Sequence, residues 1–174
     1  MPFRSSALAT RLALALLLTT PGVLLTACGT GESPAASNVD YTKADEALIQ
    51  KYLTDNKINT AQRQPSGLYY VPAKAAPTGT PAAAGKTVSV LYTGELLDGT
   101  VFDASAKHGN EPFSFVLGEG KVIPGWDQGI ALMRKGEKGV LLLPSALGYG
   151  PEGAGSDIPP NAVLRFEVEL LDVR

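Results

Sequence analysis

Few side chains in this 174-residue sequence could carry covalent chemistry, and none has a partner at a useful spacing. His108 is the only histidine and Cys28 the only cysteine, so neither a histidine–cysteine metal cluster nor a Cys–His nucleophile can be built. Ser105, Ser114 and Ser145 have no evident base, which argues against serine hydrolysis. Gly148-Tyr149-Gly150-Pro151-Glu152-Gly153 has the letters of a dinucleotide fingerprint, but Pro151 sits inside it and a loop, not a helix, follows. Gly118-Glu119-Gly120-Lys121 lacks the spacing and the hydroxyl residue of a phosphate loop. What remains is chemistry by shape and dryness. Its focus is Val122-Ile123-Pro124-Gly125-Trp126, where the single tryptophan opens a short helix directly after two β-branched residues.

The elements that hold Trp126 are readable from pattern. Pro124 suits a first helical position, where its missing N–H costs nothing. Trp126, Ile130 and Met133 share one helix face, and Arg134-Lys135-Gly136 supplies cations and a glycine for the helix end. Such an indole most often means core packing. Around this helix the chain reads as strands. Gly67–Val71 leads, and a loose Ala/Pro/Thr/Gly stretch follows from Pro72 to Gly85. Val88, Val90 and Tyr92 then alternate with Ser89, Leu91 and Thr93. Asp98-Gly99 signals a hairpin into Thr100–Phe102, and Phe113–Leu117 and Val140–Leu143 are two further short strands. Leu164, Phe166, Val168 and Leu170 alternate with charged residues, as a half-buried antiparallel strand does. The expected class is α+β: a curved antiparallel sheet, a half-barrel, wrapped around one short α-helix.

The first 27 residues read as a signal peptide. Arg4 and Arg11 precede a broken apolar run from Leu12 to Leu25, too short for a membrane span. Leu25-Thr26-Ala27-Cys28-Gly29 resembles a bacterial lipobox, in which Cys28 is lipidated and becomes the mature N-terminus; the two or more acyl chains would anchor it stably. The protein is thus expected to be exported and held by lipid at a bacterial membrane, on the periplasmic face or the cell surface. Residues 28–41 read as a flexible tether. Residues 42–63 read as an N-terminal helix and connector, capped by Thr42, with Asp45 and Glu46 at its positive end and Leu48, Ile49, Tyr52 and Leu53 on one apolar face. That face must dock on the following domain or on a second copy. Net charge is −2, and cleavage would remove two arginines and no acid. A mildly acidic chain without a basic run argues against nucleic-acid binding.

The series Tyr92-Thr93-Gly94, Asp98-Gly99, Phe102-Asp103, Pro112-Phe113, Val122–Trp126, Leu147–Gly150 and Ile158–Asn161 resembles the FKBP-type peptidyl-prolyl cis-trans isomerases over residues 64–174, in a bacterial lipoprotein form. The resemblance implies a proline-binding pocket between helix and sheet and rotamase activity on X–Pro bonds of exported proteins. No cofactor or metal is implied. Tyr92, Phe102, Asp103, Trp126 and Tyr149 would act catalytically, with Trp126 as floor and Asp103 at the polar rim. Phe113, Phe115, Val122, Ile123 and Phe166 would bind substrate. Proline-containing polypeptides are the implied partners, and the macrolides tacrolimus and rapamycin the implied inhibitors. The chain carries one residue more between Phe102 and Pro112 than the small vertebrate members, which leaves Lys107 and His108 without an assigned contact. Ala154 and Asp157 stand where those members carry bulkier or apolar side chains. A module that holds proline segments or a ligand without turnover is the alternative use of the same cleft.

Overall fold

Residues 41–174 are described by the computed structural model. The signal peptide, Cys28 and residues 28–40 of the expected tether lie outside them. Tyr41, the last residue assigned to that tether, is already helical.

The chain runs α1 (Tyr41–Asp55), β1 (Gln62–Arg63), β2 (Tyr69–Lys74), β3 (Thr87–Leu96), β4 (Val101–Ala104), β5 (Phe113–Val116), α2 (Pro124–Ile130), β6 (Lys138–Leu143) and β7 (Leu164–Val173). The seven strands form one antiparallel sheet in the order β1-β2-β6-β7-β3-β4, curved but not closed. β5 pairs with the first half of β3 and β4 with its second half, so both share one edge of the central strand. This is the expected α+β half-barrel around a short helix.

Each face of the sheet has its own helix, and β6 shows why. Leu141, Leu142 and Leu143 are all fully buried, although successive side chains of a strand point to opposite faces. Leu141 and Leu143 belong to the core that packs around Trp126 and Ile130 of α2. Leu142 belongs to a second cluster with Ile49 and Leu53 of α1 and Tyr69 and Val71 of β2. An uninterrupted apolar run is what a strand covered on both faces requires. α2 comes close to the sheet because Gly125 and Gly129 face it: a Cβ at either would meet a leucine Cδ1, of Leu143 or Leu141 respectively, at 2.6 Å.

α1 therefore docks on this same domain, and a short helix gains its stability from such a face. It begins at Tyr41, one residue before the expected cap, so Thr42 lies within the first turn. Leu48 is half exposed, while Asp45, expected on the solvated positive end, is buried beside Ile49 and Leu53. The helix ends with Lys57 at φ +56°. There the Ile58 N–H reaches Leu53 O at 2.8 Å and the Lys57 N–H reaches Thr54 O at 3.0 Å, a Schellman cap.

α2 is shorter than the sequence pattern suggests. It stops at Ile130, and the chain continues through bonds three residues back, Leu132 N–H to Gly129 O and Met133 N–H to Ile130 O. Met133 still reaches the core, which is why the apolar spacing reads as one helix. Arg134 and Lys135 lie beyond its last turn. Glu137 organises them, accepting from the Arg134 N–H at 2.8 Å. β2 runs on to Lys74 through an irregularity at Pro72, three residues past the expected end of the leading strand.

Candidate functional site

A cavity of about 530 Å³ opens between α2 and the concave face of the sheet. Tyr92 comes from β3, Phe102 and Asp103 from β4, Phe113 from β5 and Phe166 from β7. Gly120, Lys121, Val122 and Ile123 come from the turn before α2, Trp126 from α2 itself and Tyr149 from the loop after β6. Nine of the ten expected pocket residues thus line one cavity. The tenth, Phe115, is buried one strand step beyond Phe113 and packs on the Trp126 ring at 6.0 Å without lining the space.

Trp126 is the hub of the aromatic wall. Its ring meets Tyr92 at 5.0 Å and Phe166 at 5.3 Å, both edge to face, and Phe113 at 6.0 Å. Phe102 in turn stands edge-on to Phe166 at 5.5 Å. Arrangements of this kind add about 0.5–1.5 kcal/mol per pair beyond area burial. The Trp126 indole N–H is buried and has no hydrogen-bond partner, so the floor presents carbon surface with one unengaged donor. Gly94 makes the ring packing possible. A Cβ there would lie 2.6 Å from Phe102 Cε2 and 2.8 Å from Phe166 Cε1.

The turn that carries Val122 and Ile123 is held by α2. Asp127 accepts the Gly118 N–H at 2.8 Å and the Gly120 N–H at 3.0 Å, with both glycines at positive φ. The Ile123 carbonyl receives Trp126 N–H at 2.9 Å, while the Ile123 N–H meets no backbone acceptor among the described residues. It is a donor left for a substrate carbonyl.

Asp103 sits at the rim, tied on both oxygens. Its Oδ2 accepts the Tyr92 hydroxyl at 2.7 Å, and its Oδ1 lies 2.8 Å from both His108 Nε2 and the Ala104 N–H. Partial burial pushes its carboxyl up, but the bonds from Tyr92, His108 and Ala104 together bring it below the ordinary carboxylate range. It is therefore an anion at neutral pH. Tyr92 is driven far above the ordinary phenol value by burial and by the Asp103 carboxylate. Tyr149 is raised by the same two causes. Both hydroxyls stay protonated and can donate. Tyr149 is partly exposed, at the mouth of the cavity.

His108 was legible only as a lone exposed histidine. Its contact depends on the 3₁₀ turn Ser105–His108 that bridges β4 and β5, and that turn ends in Gly109 at φ +74°. Lys107 folds back to the Val101 and Phe102 carbonyls at 3.2 and 3.1 Å. Gly120, Lys121, Gly94 and Asp127 are further contributors that the residue reading did not assign. Among the described residues no three His, Cys, Asp or Glu side chains gather as a metal site.

Comparison with known proteins agrees with this geometry. Residues 79–171 match the family described as FKBP-type peptidyl-prolyl cis-trans isomerase. The chain is 52% identical over 95 residues to an FK506-binding protein of Neisseria meningitidis serogroup C, covering 55% of this chain and 86% of that one. It is 55% identical over 92 residues to FK506-binding protein 2 of Yarrowia lipolytica, covering 53% of this chain and 63% of that relative, just under two thirds of its length. The crystal structure of FkpA from Escherichia coli superposes with a TM-score of 0.65 at 38% identity, over 76% of this chain and 62% of that one.

Proposed function

The chain belongs to the FKBP-type peptidyl-prolyl cis-trans isomerases, and from that premise we propose that its cavity accelerates rotation about X–Pro bonds in polypeptides. The observation that carries the reading is the dry aromatic floor, with Trp126 set edge-on against Tyr92 and Phe166 below a rim where Asp103 is held by Tyr92 and His108.

The uncatalysed barrier of about 18–20 kcal/mol is the loss of amide resonance, and X–Pro bonds exchange in tens to hundreds of seconds. Reaching milliseconds takes on the order of 10⁴-fold, about 5.5 kcal/mol. The twisted amide has lost its zwitterionic resonance form and is less dipolar than the planar one. A cavity that strips water from the amide therefore favours the twisted state over the ground state, the condition for catalysis. Stiff aromatic walls hold the pyrrolidine ring with little entropy to lose. The Ile123 N–H and the Tyr149 hydroxyl supply donors for the flanking carbonyls. No covalent intermediate is required.

The proposal extends to place and ligands. Lipidation at Cys28, supported by the sequence around it, would hold the domain at a bacterial membrane, where its clients are exported proteins. Tacrolimus and rapamycin would compete for the cavity; relatives carry the name FK506-binding protein. A refolding assay limited by proline isomerisation tests the activity. Acceleration at micromolar protein, abolished by tacrolimus, is expected. Binding of proline peptides without acceleration would leave a non-catalytic module instead. Mass spectrometry of the mature N-terminus tests the anchor, and an unmodified Cys28 would refute it.

A further inference from the structure

α1 reaches the rim of the cavity through a single carboxylate. Asp45 is 2% exposed. Its Oδ2 accepts the Ser145 N–H at 2.9 Å and the Ser145 hydroxyl at 2.7 Å, across 100 residues of sequence. Ser145 is also buried, and it is the first residue of the 3₁₀ turn Ser145–Leu147. The opening N–H groups of a helical turn have no partner within it, and the residue before this one, Pro144, provides no side-chain cap. Asp45 provides the cap from another element.

What the turn carries makes this contact consequential. Leu147 N–H to Pro144 O (2.9 Å) and Gly148 N–H to Ser145 O (3.0 Å) close it, and the next residue is Tyr149 on the cavity wall. On its other side Leu143 packs directly beneath Gly125 of α2, one residue from Trp126. Asp45 thus grips the middle of a segment that supports the floor at one end and presents the wall at the other. Burying a carboxylate costs free energy that an apolar residue would not, and Ile49 and Leu53 already supply the apolar docking of α1.

We propose that Asp45 is a positioning residue for the isomerase site. It fixes the Ser145–Leu147 turn and, through it, the placement of Tyr149, so that docking of α1 sets the geometry of the proline cavity. This rests on the isomerase reading above.

The test compares the full chain with Asp45→Ala, Asp45→Asn and Leu53→Ala. It measures kcat/KM on a proline tetrapeptide, far-UV circular dichroism, and amide hydrogen exchange at Ser145 and Gly148. Asp45→Ala should lower kcat/KM on the order of tenfold, the weight of a lost charge-assisted hydrogen bond, and should speed exchange at both amides. Asp45→Asn keeps an acceptor oxygen and should stay within about threefold of wild type, since a neutral bond replaces a charged one. Leu53→Ala loosens α1 without touching Ser145 and should leave the folded protein's kcat/KM unchanged. A folded Asp45→Ala chain within twofold of wild type would overturn the proposal, as would equal losses in Leu53→Ala. If Asp45→Ala does not fold, Ser145→Ala removes one of the two bonds, and unchanged activity there overturns it instead. An inactive wild-type chain would refute the isomerase reading separately, and unaltered exchange at Ser145 and Gly148 in Asp45→Ala would still refute this one.

Discussion

Replacing Trp126 with phenylalanine separates what the indole does for the fold from what it does for catalysis. The ring is 5% exposed and touches Tyr92, Phe113, Phe115 and Phe166. Phenylalanine keeps an aromatic ring on the same helix face but withdraws on the order of 50 Å² of buried apolar surface, about 1.3 kcal/mol at 25 cal/mol/Å². Against this, the variant deletes the buried indole N–H that has no partner, a group whose desolvation costs about 1–3 kcal/mol. The two effects nearly cancel, so stability should change by less than about 1.5 kcal/mol. Nothing cancels in the transition state. The floor recedes from the pyrrolidine ring, and the same lost contact area, about 1.3 kcal/mol, lowers kcat/KM about tenfold. Urea unfolding and a protease-coupled proline peptide assay on one preparation measure both quantities. Activity within twofold of wild type, or a stability loss above about 4 kcal/mol, would refute the reasoning.

Three further predictions follow from the rim and the ring packing. Asp103→Val should reduce kcat/KM about three- to tenfold, about 0.7–1.4 kcal/mol, with an unchanged circular dichroism spectrum, because the carboxylate is partly exposed and orients Tyr92 more than it holds the fold. Because the folded Asp103 carboxyl lies below its ordinary value, its contribution to stability is complete above the unfolded value of about 3.9 and is lost as pH falls through the lower folded value. Acid unfolding followed by tryptophan fluorescence should therefore begin at higher pH in His108→Ala, which removes one of the bonds holding the carboxyl down. Gly94→Ala should cost about 1–3 kcal/mol by overpacking and displace the Phe102 and Phe166 rings, which a crystal structure with a proline peptide, or the loss of its binding, would reveal.

The strands and the Trp126 helix were legible because their signals are local: alternation in β3 and β7, the Asp98-Gly99 hairpin, and Pro124 at a helix start. The position of Tyr149 in the cavity came from resemblance, since nothing local places that loop against β3 and β4. What the sequence concealed was carried by partners far along the chain. Asp45 reads as a solvated acid near a helix start until Ser145 is brought to it. His108 reads as a loop tip until the 3₁₀ turn folds it onto Asp103. The end of α2 was misjudged for a different reason. Met133 keeps helical spacing from Ile130 while the backbone has already changed to bonds three residues back, and spacing alone cannot distinguish the two. Leu142 was legible as buried, but its outward direction toward α1 depends on both faces of β6 being covered.

Exchange NMR on a short X–Pro peptide measures the central claim without a protease or a refolding partner. Uncatalysed exchange takes tens to hundreds of seconds. With the chain at micromolar concentration, interconversion of the cis and trans resonances should accelerate about a hundredfold or more while their equilibrium ratio stays fixed, since a catalyst lowers the barrier in both directions alike. An exchange rate unchanged by the folded chain, with peptide shifts reporting occupancy of the cavity, would contradict the account.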